Sequence, residues 1–392
     1  MRTRFRRPTR ERPRLVTATF VLVAVASLAY FIADGVMIPA VPLYVEGPLR
    51  GSDVAVGISV GAFSVTALAL RPWAGRLGDR RGRRLLMVFG ATLVGVSVVA
   101  YAAAASVAVL VVLRLVTGVG EAFFFTGAAS AINDLAPDER RGEAVSFFSL
   151  ALYVGIGIGP LIGEALIQGP GFGVTWAVAG GCALVAAVLA VRVPETRPER
   201  GEEPVSTRLV HPAALLPGVV LLASVMGMSG FFAFLPLYAL QIGLGGSRFV
   251  FLMYSAIVVV IRSLGARIPD RLGPARTSRM SLLFSATGLA IAGGWQHPVG
   301  LVLGTAVFAV GSSLAFPALM VLAVRGTSPL ERGAVLGTFT AFVDIGFGAG
   351  PALLGFVAEA AGYGSTFLAA SGIALAGFSV LFLARRPVAA RG

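Results

Sequence analysis

A polar stretch that occurs twice constrains the fold of this chain more than any other feature. It runs from Arg71 to Arg84 between two long apolar runs and combines arginines with one aspartate and three glycines. A second version follows 191 residues later without gaps. The matched pairs are Arg71 and Arg262, Arg76 and Arg267, Asp79 and Asp270, Arg80 and Arg271, and Gly82 and Gly273. The repetition predicts two related halves.

The composition indicates that both halves lie in a membrane. Of the 392 residues, 56% are hydrophobic and 13% are charged, and the mean hydropathy is +0.86. A soluble globular domain has about 25% charged residues. The composition therefore predicts a membrane protein and excludes an ordinary soluble domain.

The apolar runs predict twelve transmembrane helices, since a helix needs about 20 apolar residues to cross a bilayer. In the first half they cover residues 15–45, 54–73, 85–104, 107–131, 143–168 and 173–191. In the second half they cover residues 213–241, 249–268, 278–295, 299–324, 334–360 and 365–384. The predicted organisation is two six-helix bundles, 15–191 and 213–384, a polar linker at 192–212, and tails at 1–14 and 385–392.

A glycine–proline run is duplicated at the same spacing. The run from Gly155 to Pro160 recurs 191 residues later from Gly346 to Pro351. Proline bends helices and glycine permits close helix packing, so kinks are predicted at Gly159, Pro160, Gly350 and Pro351. Each half has an even number of spans, so both halves have the same orientation. Two pseudo-symmetric parallel repeats in an all-α membrane protein are a transporter architecture.

The basic residues lie mainly on one side of the predicted membrane. All 32 are arginines, of which 17 lie in alternate loops and seven in the amino-terminal tail. Positively charged loops stay in the cytoplasm, which predicts a multi-pass protein of the inner (plasma) membrane with both termini cytoplasmic. The net charge of +13 in this distribution favours contact with lipid head groups and argues against a nucleic-acid partner.

Few residues are available for metal binding or catalysis. Cys182 is the only cysteine, and the two histidines, His211 and His297, are predicted on opposite sides of the membrane. An intramolecular disulfide and a metal cluster are therefore not expected. No span carries a Ser/His pairing, and no lysine is present for a phosphate-binding loop. We predict no cofactor, no metal and no enzymatic activity.

The stretch from Gly75 to Arg84 resembles the signature loop of the major facilitator superfamily, which lies between the second and third helices. The second copy of the stretch, the twelve spans and the central linker extend this resemblance over nearly the whole chain. The resemblance implies two six-helix bundles around a central cavity that opens alternately to each side. It thus implies a secondary active transporter of small molecules.

Two further stretches resemble the proton-coupled drug-efflux branch of this superfamily. One is Arg114 with Gly118 and Gly120 in the fourth helix, and the other is the run 155–163, which is similar to the antiporter motif. That run departs from the motif, because Glu164 follows where a second glycine is usual. The resemblance implies proton-coupled efflux. Proton-coupled import of a small metabolite or sugar is the alternative, and a membrane-embedded enzyme is a remote one.

The charges of the duplicated stretch are predicted to form a latch on the cytoplasmic side. Asp79 is suited to the positive amino-terminal end of a neighbouring helix, a contact worth about 0.3–1 kcal/mol. The resemblance identifies that helix as the eleventh, and pseudo-symmetry places Asp270 at the start of the fifth. The residues assigned to the latch are Gly75, Asp79, Arg80, Gly82, Arg140, Asp270, Arg271 and Arg332. The alternative is that the arginines only fix the topology.

Charged residues inside the spans are candidates for proton coupling, because each costs at least about 2.5–3.5 kcal/mol at mid-membrane. Arg114 and Glu121 share one face of the fourth helix, and Asp34 lies at a comparable depth in the first. Desolvation favours the neutral acid, whereas a nearby arginine favours the carboxylate. The hypothesis is that Asp34 or Glu121 exchanges a proton against substrate, with Arg114 as its switching partner. The alternative is a static buried pair.

Other charges near the ends of spans are predicted to lie in solvent or at the membrane surface. Arg71 and Arg262 are within reach of the cytoplasmic surface through their long side chains. Glu164 and Glu359 are expected to be solvated near the external ends of their helices. None of these four residues is assigned a role.

The central cavity is predicted to be apolar. Its candidate lining residues are Tyr30, Phe125, Phe231 and Phe232, and Asp344 adds one carboxylate from the second half. Such walls suit hydrophobic or amphipathic substrates, including cationic ones, and the single asparagine of the chain argues against sugar recognition. The expected partners are a small-molecule substrate, protons and the lipid bilayer, and the protein is expected to be a monomer.

Overall fold

The computed structural model describes residues 15–137, 140–197, 210–264, 271–328 and 331–384, without the side chains of Gly142 and Arg332. Within these ranges the regular secondary structure is entirely helical. The two predicted tails, Asp270 and most of the linker lie outside the described residues.

Six helices form the first half. They are α1 (Ala18–Glu46), α2 (Asp53–Arg81), α3 (Arg83–Ala100), α4 (Val107–Leu135), α5 (Arg141–Gln168) and α6 (Phe172–Val191). Loops are short, so consecutive helices run in opposite directions. Ser52 and Ser106 cap α2 and α4 by accepting hydrogen bonds from backbone N–H groups of the first turn, as serine does at helix starts.

Six further helices form the second half. They are α7 (Leu215–Gln241), α8 (Arg248–Leu264), α9 (Pro274–Gly294), α10 (Pro298–Val324), and α11 (332–361) and α12 (363–383) within the segment Arg332–Leu383. Gly362 separates the last two with φ 79° and ψ 171°, a conformation that glycine adopts without steric cost. The sequence prediction of a break between residues 360 and 365 is confirmed.

Nine helical segments of the described residues are long and apolar enough to cross a membrane. The last of them, Gly333–Leu383, contains both α11 and α12. The shorter α8 and the more polar α9 complete the twelve helices. The predicted all-α fold with two six-helix bundles is confirmed.

The stretch from Gly75 to Arg84, which resembles a loop between helices in the sequence, is mostly helical in the structure. Helix α2 continues through Pro72 and ends at Arg81, so most of the stretch is helical. The turn is reduced to Gly82, whose φ of 101° ends the helix. Arg80 and Arg81 lie in the last turn of α2, where positive side chains are favoured by the helix dipole. The second span is therefore longer than the predicted 54–73.

The same pairs of helices pack against one another in both halves. Helix α1 packs on α5 and α6, and α7 packs correspondingly on the α11–α12 segment, while α3 packs on α4 as α9 packs on α10. The two halves meet mainly along two interfaces, which we call the α2–α11 seam and the α5–α8 seam. These seams are equivalent under the repeat, since α2 corresponds to α8 and α5 to α11.

Both seams run from one face of the molecule, where half of the loops lie, to the opposite face, where the other loops lie. The arginine-rich face carries the loops α2–α3, α4–α5, α8–α9 and α10–α11 and the linker, and the arginine-poor face carries the other loops.

The halves are in contact at the arginine-poor face, and the described parts of α2 and α11 lie farther apart toward the arginine-rich face. A Cβ atom added at Gly57 of α2 would collide with the carbonyl oxygen of Pro351, and one at Gly355 of α11 would lie 2.7 Å from that of Asp53. Five helical turns along the same faces, Gly75 and Gly337 have no neighbouring atom within 4 Å of an added Cβ. Helices α2 and α11 therefore diverge toward the arginine-rich face.

Candidate transport site

The predicted polar face of α4 points into the interior of the first half. Arg114 is buried, and its guanidinium donates hydrogen bonds from Nε to the Ser59 carbonyl (3.0 Å) and from a terminal nitrogen to the Val60 carbonyl (2.8 Å). It also lies over the Phe63 ring, 4.8 Å from the centroid. A Cβ added at Gly118 would collide with the Phe63 carbonyl oxygen. Arg114 thus holds α4 against α2.

Glu121 is bonded to the first helix. The hydroxyl of Tyr30 donates a hydrogen bond of 2.5 Å to Glu121 Oε2, and the Tyr30 ring stacks on Phe124 at 3.8 Å between centroids. Asp34, one turn further along α1, is within electrostatic range of Glu121 and Arg114. The structure therefore brings together all three residues proposed for proton coupling, and adds Tyr30 as a hydrogen-bond donor.

Arg71 connects this group to the second half. Its Nε lies 2.9 Å from Asp344 Oδ2 of α11, and its guanidinium lies 4.7 Å from the centroid of the Phe125 ring. Arg71 is also within electrostatic range of Glu121. The prediction that Arg71 extends to the membrane surface is wrong. Arg71 lies about 15 Å from the end of α2, and the buried Asp344 carboxylate stabilises its charge inside the protein.

The equivalent arginine of the second half has a different partner. Arg262 of α8 lies over the Tyr153 ring of α5, 4.8 Å from its centroid. Tyr153 and Asp344 are themselves 191 residues apart, so the two contacts occupy equivalent positions in the repeat. Among the described residues Arg262 forms no ion pair, and its Nε is buried without a hydrogen-bond acceptor. Arg262, like Arg71, therefore points into the protein.

The aromatic residues proposed for the cavity have two different environments. Phe125 is partly exposed and lies against Arg71. Phe231 is fully buried, and its ring packs against Tyr254 and Phe308. Phe232 is also buried and contacts Tyr254 edge to face. In this structure Phe231 and Phe232 pack the core of the second half, whereas Phe125 faces the interface between the halves.

Asp79, the latch residue at the end of α2 on the arginine-rich face, is paired within its own half. The Asp79 carboxylate is 63% exposed and pairs with Arg83 (2.6 Å), which also bonds Asp134 of α4 (3.0 Å). Arg80 and Arg271 are exposed, and Arg140 pairs with Glu143. Asp270 and the Arg332 side chain lie outside the described residues. The contact between Asp79 and α11 stays a prediction for a state closed at this face.

Both ends of the linker are bound to helix starts, which sequence reasoning did not predict. Glu195 accepts a hydrogen bond of 2.8 Å from the backbone N–H of Arg83 at the start of α3. Burial raises the pKa of Glu195, but hydrogen bonds from the backbone N–H groups of Arg83, Arg197, Arg84 and Thr196 outweigh this effect and hold the pKa below its ordinary value. At the far end, the His211 N–H donates to Thr338 Oγ1 of α11 (2.9 Å).

Glu164 closes the arginine-poor face instead of lying in solvent. It is 3% exposed, and its carboxylate accepts hydrogen bonds from the backbone N–H groups of Ser247 (2.9 Å) and Arg248 (3.1 Å) and from the Ser247 hydroxyl. The expectation of a solvated Glu164 is wrong, because the start of α8 presents unpaired N–H groups that favour a carboxylate. Glu359, which is exposed as expected, accepts a 3.2 Å bond from Val54 N–H at the start of α2.

A cavity of about 290 Å³ opens beside this closure. It lies between the ends of α1, α5, α6 and α7, and its lining is mainly apolar, with Leu43, Phe172 and Pro236 beside Glu46 and Glu164. The cavity ends at the Glu164 contact, so it forms a vestibule on the arginine-poor side of the closed seam.

The duplicated glycines lie where helices approach closely. In α5, an added Cβ at Gly159 would collide with Gly35 of α1, while one at Gly157 would lie 2.9 Å from the Ser255 Cβ of α8. In α11, Gly350 correspondingly meets α7 and Gly348 meets Ser64 of α2. Both helices continue through Pro160 and Pro351. Alternate glycines of each run therefore contact the same half and the opposite half.

Comparison with known proteins identifies the family. The family model of the Major Facilitator Superfamily matches residues 23–292 and 250–392. The chain belongs to the major facilitator superfamily. Members of this superfamily are transporters rather than enzymes, so the chain is a multi-pass membrane transporter of small molecules, and members usually act as monomers.

Relatives and solved structures cover nearly the whole chain. The uncharacterized MFS-type transporter STM4428 of Salmonella typhimurium is 29% identical over 378 residues, 94% of this chain and 97% of the relative. YhhS of Escherichia coli, also an uncharacterized MFS-type transporter, is 27% identical over 376 residues, 94% and 93% of the two chains. Bacterial relatives are consistent with the inner membrane.

A solved structure shares the fold of the whole chain. The bacterial homolog of the human lysosomal transporter Spinster, in an inward-facing and occupied conformation, superposes with a TM-score of 0.79 at 17% identity. It covers 94% of this chain and 96% of its own. At this identity the likeness supports the fold and no particular substrate.

Proposed function

We propose that this transporter couples proton entry to the efflux of hydrophobic or amphipathic small molecules. The observation that carries the proposal is the group formed by the half-buried Asp34 and Glu121 with the buried Tyr30, beside the buried Arg114. Carboxylates at this depth are costly and are usually functional. The sequence resemblance of Arg114 and the run 155–163 to the efflux branch supports the direction of transport.

The coupling mechanism follows from the partners of the two acids. When the cavity is open to one side, water reaches Asp34 or Glu121 and either acid takes up a proton. When the cavity closes, the loss of water favours the neutral acid, which keeps its proton. When the cavity opens to the other side, water returns, Arg114 and Arg71 favour the ionised form, the Tyr30 hydroxyl donates to it, and the proton is released. Arg114 is the switching partner. Its guanidinium now donates hydrogen bonds to carbonyls of α2, and an ionised Asp34 or Glu121 would accept these hydrogen bonds in their place.

The arginine-rich face is proposed to be cytoplasmic, because positively charged loops stay on that side. The structure then corresponds to an inward-facing state, with the Glu164 contact closing the external side. The exposure of Asp79 supports this reading, since a latch that closes the cytoplasmic side is expected to be released in that state. On closure, Asp79 would bind the start of α11.

Transport in proteoliposomes tests the coupling. The probes are three naphthalene compounds of similar size: 1-naphthoate, naphthylmethylammonium and naphthylmethanol. A proton antiporter takes up a probe faster when the vesicle lumen is acid, whichever way the protein is inserted, whereas a proton symporter requires the opposite gradient. We expect acid-lumen uptake, and uptake that depends on neither gradient would contradict proton coupling.

Substitution of the acids separates coupling from binding. Asp34→Asn or Glu121→Gln is expected to leave counterflow exchange in place, because exchange does not require a proton to be carried. Gradient-driven uptake should fall at least about tenfold, equivalent to about 1.4 kcal/mol, because the amide cannot take up the proton. The matched control is Glu46→Gln, an exposed carboxylate on the same helix as Asp34. If both acid variants retain full gradient-driven uptake, neither residue carries the proton.

A further inference from the structure

The two seams carry equivalent arginines with unequal partners. Arg71 of α2 faces the Asp344 carboxylate of α11 at 2.9 Å. Arg262 of α8 occupies the position 191 residues later, and the residue equivalent to Asp344 is Tyr153. The repeat therefore preserves the cation at both seams and the counter-charge at only one.

Among the described residues, Arg262 has an aromatic partner and no paired carboxylate. The Tyr153 ring stabilises the guanidinium through a cation–π contact but supplies no negative charge. Among the residues that the structure describes, no carboxylate pairs with Arg262, and its buried Nε has no acceptor. A cation inside a membrane protein usually has a partner or faces a functional cavity.

The surroundings of Arg262 are suited to an amphipathic anion. Two turns along the same face of α8, the Ser255 hydroxyl is buried and has no hydrogen-bond partner. Tyr254, bonded to Ser312 at 2.9 Å, is within electrostatic range of Arg262. The site thus combines a fork of N–H donors, two aromatic rings and a free hydroxyl.

We infer that Arg262 binds an anionic group of the transported molecule, a carboxylate, sulfonate or phosphate, with Tyr153 holding the guanidinium in place. The substrate supplies the counter-charge that Asp344 supplies at the other seam. An arginine fork matches the oxygens of such groups by paired charge-assisted hydrogen bonds. This inference rests on the proposed function only in that the ligand is a transported small molecule; it does not require proton coupling.

Binding to the purified protein in lipid nanodiscs tests the inference. We expect 1-naphthoate to bind at least tenfold more tightly than naphthylmethylammonium by calorimetry. Arg262→Gln is expected to weaken 1-naphthoate binding at least tenfold, and Arg262→Lys to retain part of it. Arg276→Gln, which removes an exposed arginine at the start of α9, is the control and should bind like the original chain.

A second variant uses the repeat itself. Tyr153→Asp places a carboxylate opposite Arg262, as Asp344 stands opposite Arg71. It should remove 1-naphthoate binding while its thermal stability stays equal or rises, which distinguishes loss of the site from loss of the fold. Equal binding of the anion and the cation, or full 1-naphthoate binding by Arg262→Gln or Tyr153→Asp, would overturn the inference. An absence of 1-naphthoate binding by the original chain would also overturn it.

The transport assay separates this inference from the proposed function. If 1-naphthoate binds through Arg262 but its uptake ignores the proton gradient, the anion site stands and proton coupling fails. If the cationic or neutral probe is carried by the gradient while the original chain does not bind 1-naphthoate, the coupling stands and the anion site fails.

Discussion

The α2–α11 and α5–α8 seams consist of equivalent helices, yet they hold the two halves together by different means. At the α2–α11 seam, backbone approaches backbone through Gly57, Gly61 and Gly348, and an ion pair joins the helices further in. At the α5–α8 seam, side chains fill the contact: Ser255 lies against Gly157, and Glu164 binds the start of α8. One seam depends on close helix packing, and the other depends on polar side chains.

This difference teaches that duplication preserves the positions of contacts more strictly than their chemistry. Each seam has an arginine at the same register and a carboxylate on the amino-terminal end of a helix at the arginine-poor face. In the described part of the chain the arginine has a carboxylate partner at only one seam, and the capping carboxylate is buried at only the other. Each seam therefore has one strong polar contact, at a different depth.

The largest expected effect concerns the glycines. Gly57→Ala should lower the transport rate at least about tenfold, because its methyl group would meet the Pro351 backbone, which cannot move without moving α11. Gly157→Ala should change the rate less than about threefold, since the Ser255 side chain can rotate away. Uptake of the three naphthalene probes in proteoliposomes measures both.

The comparison of these two glycines includes its own control. Both variants must elute as monodisperse protein in size-exclusion chromatography, so that a rate change does not reflect misfolding. Equal rates for Gly57→Ala and Gly157→Ala would show that the two seams do not differ in packing as the structure indicates.

The second effect concerns the ion pair. Asp344→Asn leaves the Arg71 guanidinium without a counter-charge and should lower stability by about 1–3 kcal/mol. Tyr153→Phe keeps the ring beneath Arg262 and should change stability by less than about 0.5 kcal/mol. Thermal unfolding in nanodiscs measures both variants. A smaller loss for Asp344→Asn than for Tyr153→Phe would contradict the assignment of the stronger contact to the α2–α11 seam.

The smallest effect concerns the capping carboxylates. Glu164→Gln should weaken the closed arginine-poor face by about 1–2 kcal/mol, because a partly buried carboxylate at a helix start is worth about this much. Glu359→Gln, with one exposed hydrogen bond, should cost about 0.3–1 kcal/mol. The readout is alkylation of Val250→Cys, a residue 3% exposed in the first turn of α8, after Cys182→Ser.

Alkylation is expected to accelerate more in the Glu164 variant than in the Glu359 variant. A faster reaction in the Glu359 variant would place the stronger external contact at the α2–α11 seam instead.

Sequence reasoning predicted the number of helices and their division into halves because the length of an apolar run and the repeat can both be read directly from the sequence. It located Asp34 and Glu121 at a comparable depth within the spans because spacing fixes their depth and helix face. It did not predict that the Arg71 side chain points into the protein, since the depth of a residue does not determine the direction of a long side chain. It missed Glu164 because the partner at the start of α8 is far away in sequence.

The aromatic residues show a further limit. Phe231 was proposed for the cavity wall, but α7 is apolar on nearly all sides and most of its residues are buried. Periodicity cannot distinguish a face toward the cavity from one toward neighbouring helices in such a segment. By contrast, the equivalence of Tyr153 with Asp344 can be read from the 191-residue spacing. The structure adds that each of them faces the equivalent arginine of the opposite half.

The clamp of Glu195 on the start of α3 changes the mechanical role of the connection between the halves. Arg197 is bonded to the Arg80 carbonyl (2.5 Å) and His211 to α11, so thirteen residues, 198–210, lie between the two bonded ends. The fourteen Cα–Cα steps from Arg197 to His211 cover at most about 50 Å when extended. The linker is thus a tether whose two ends are bound to opposite halves. Inserting extra residues between the bound ends would lengthen the tether and leave both anchoring contacts in place.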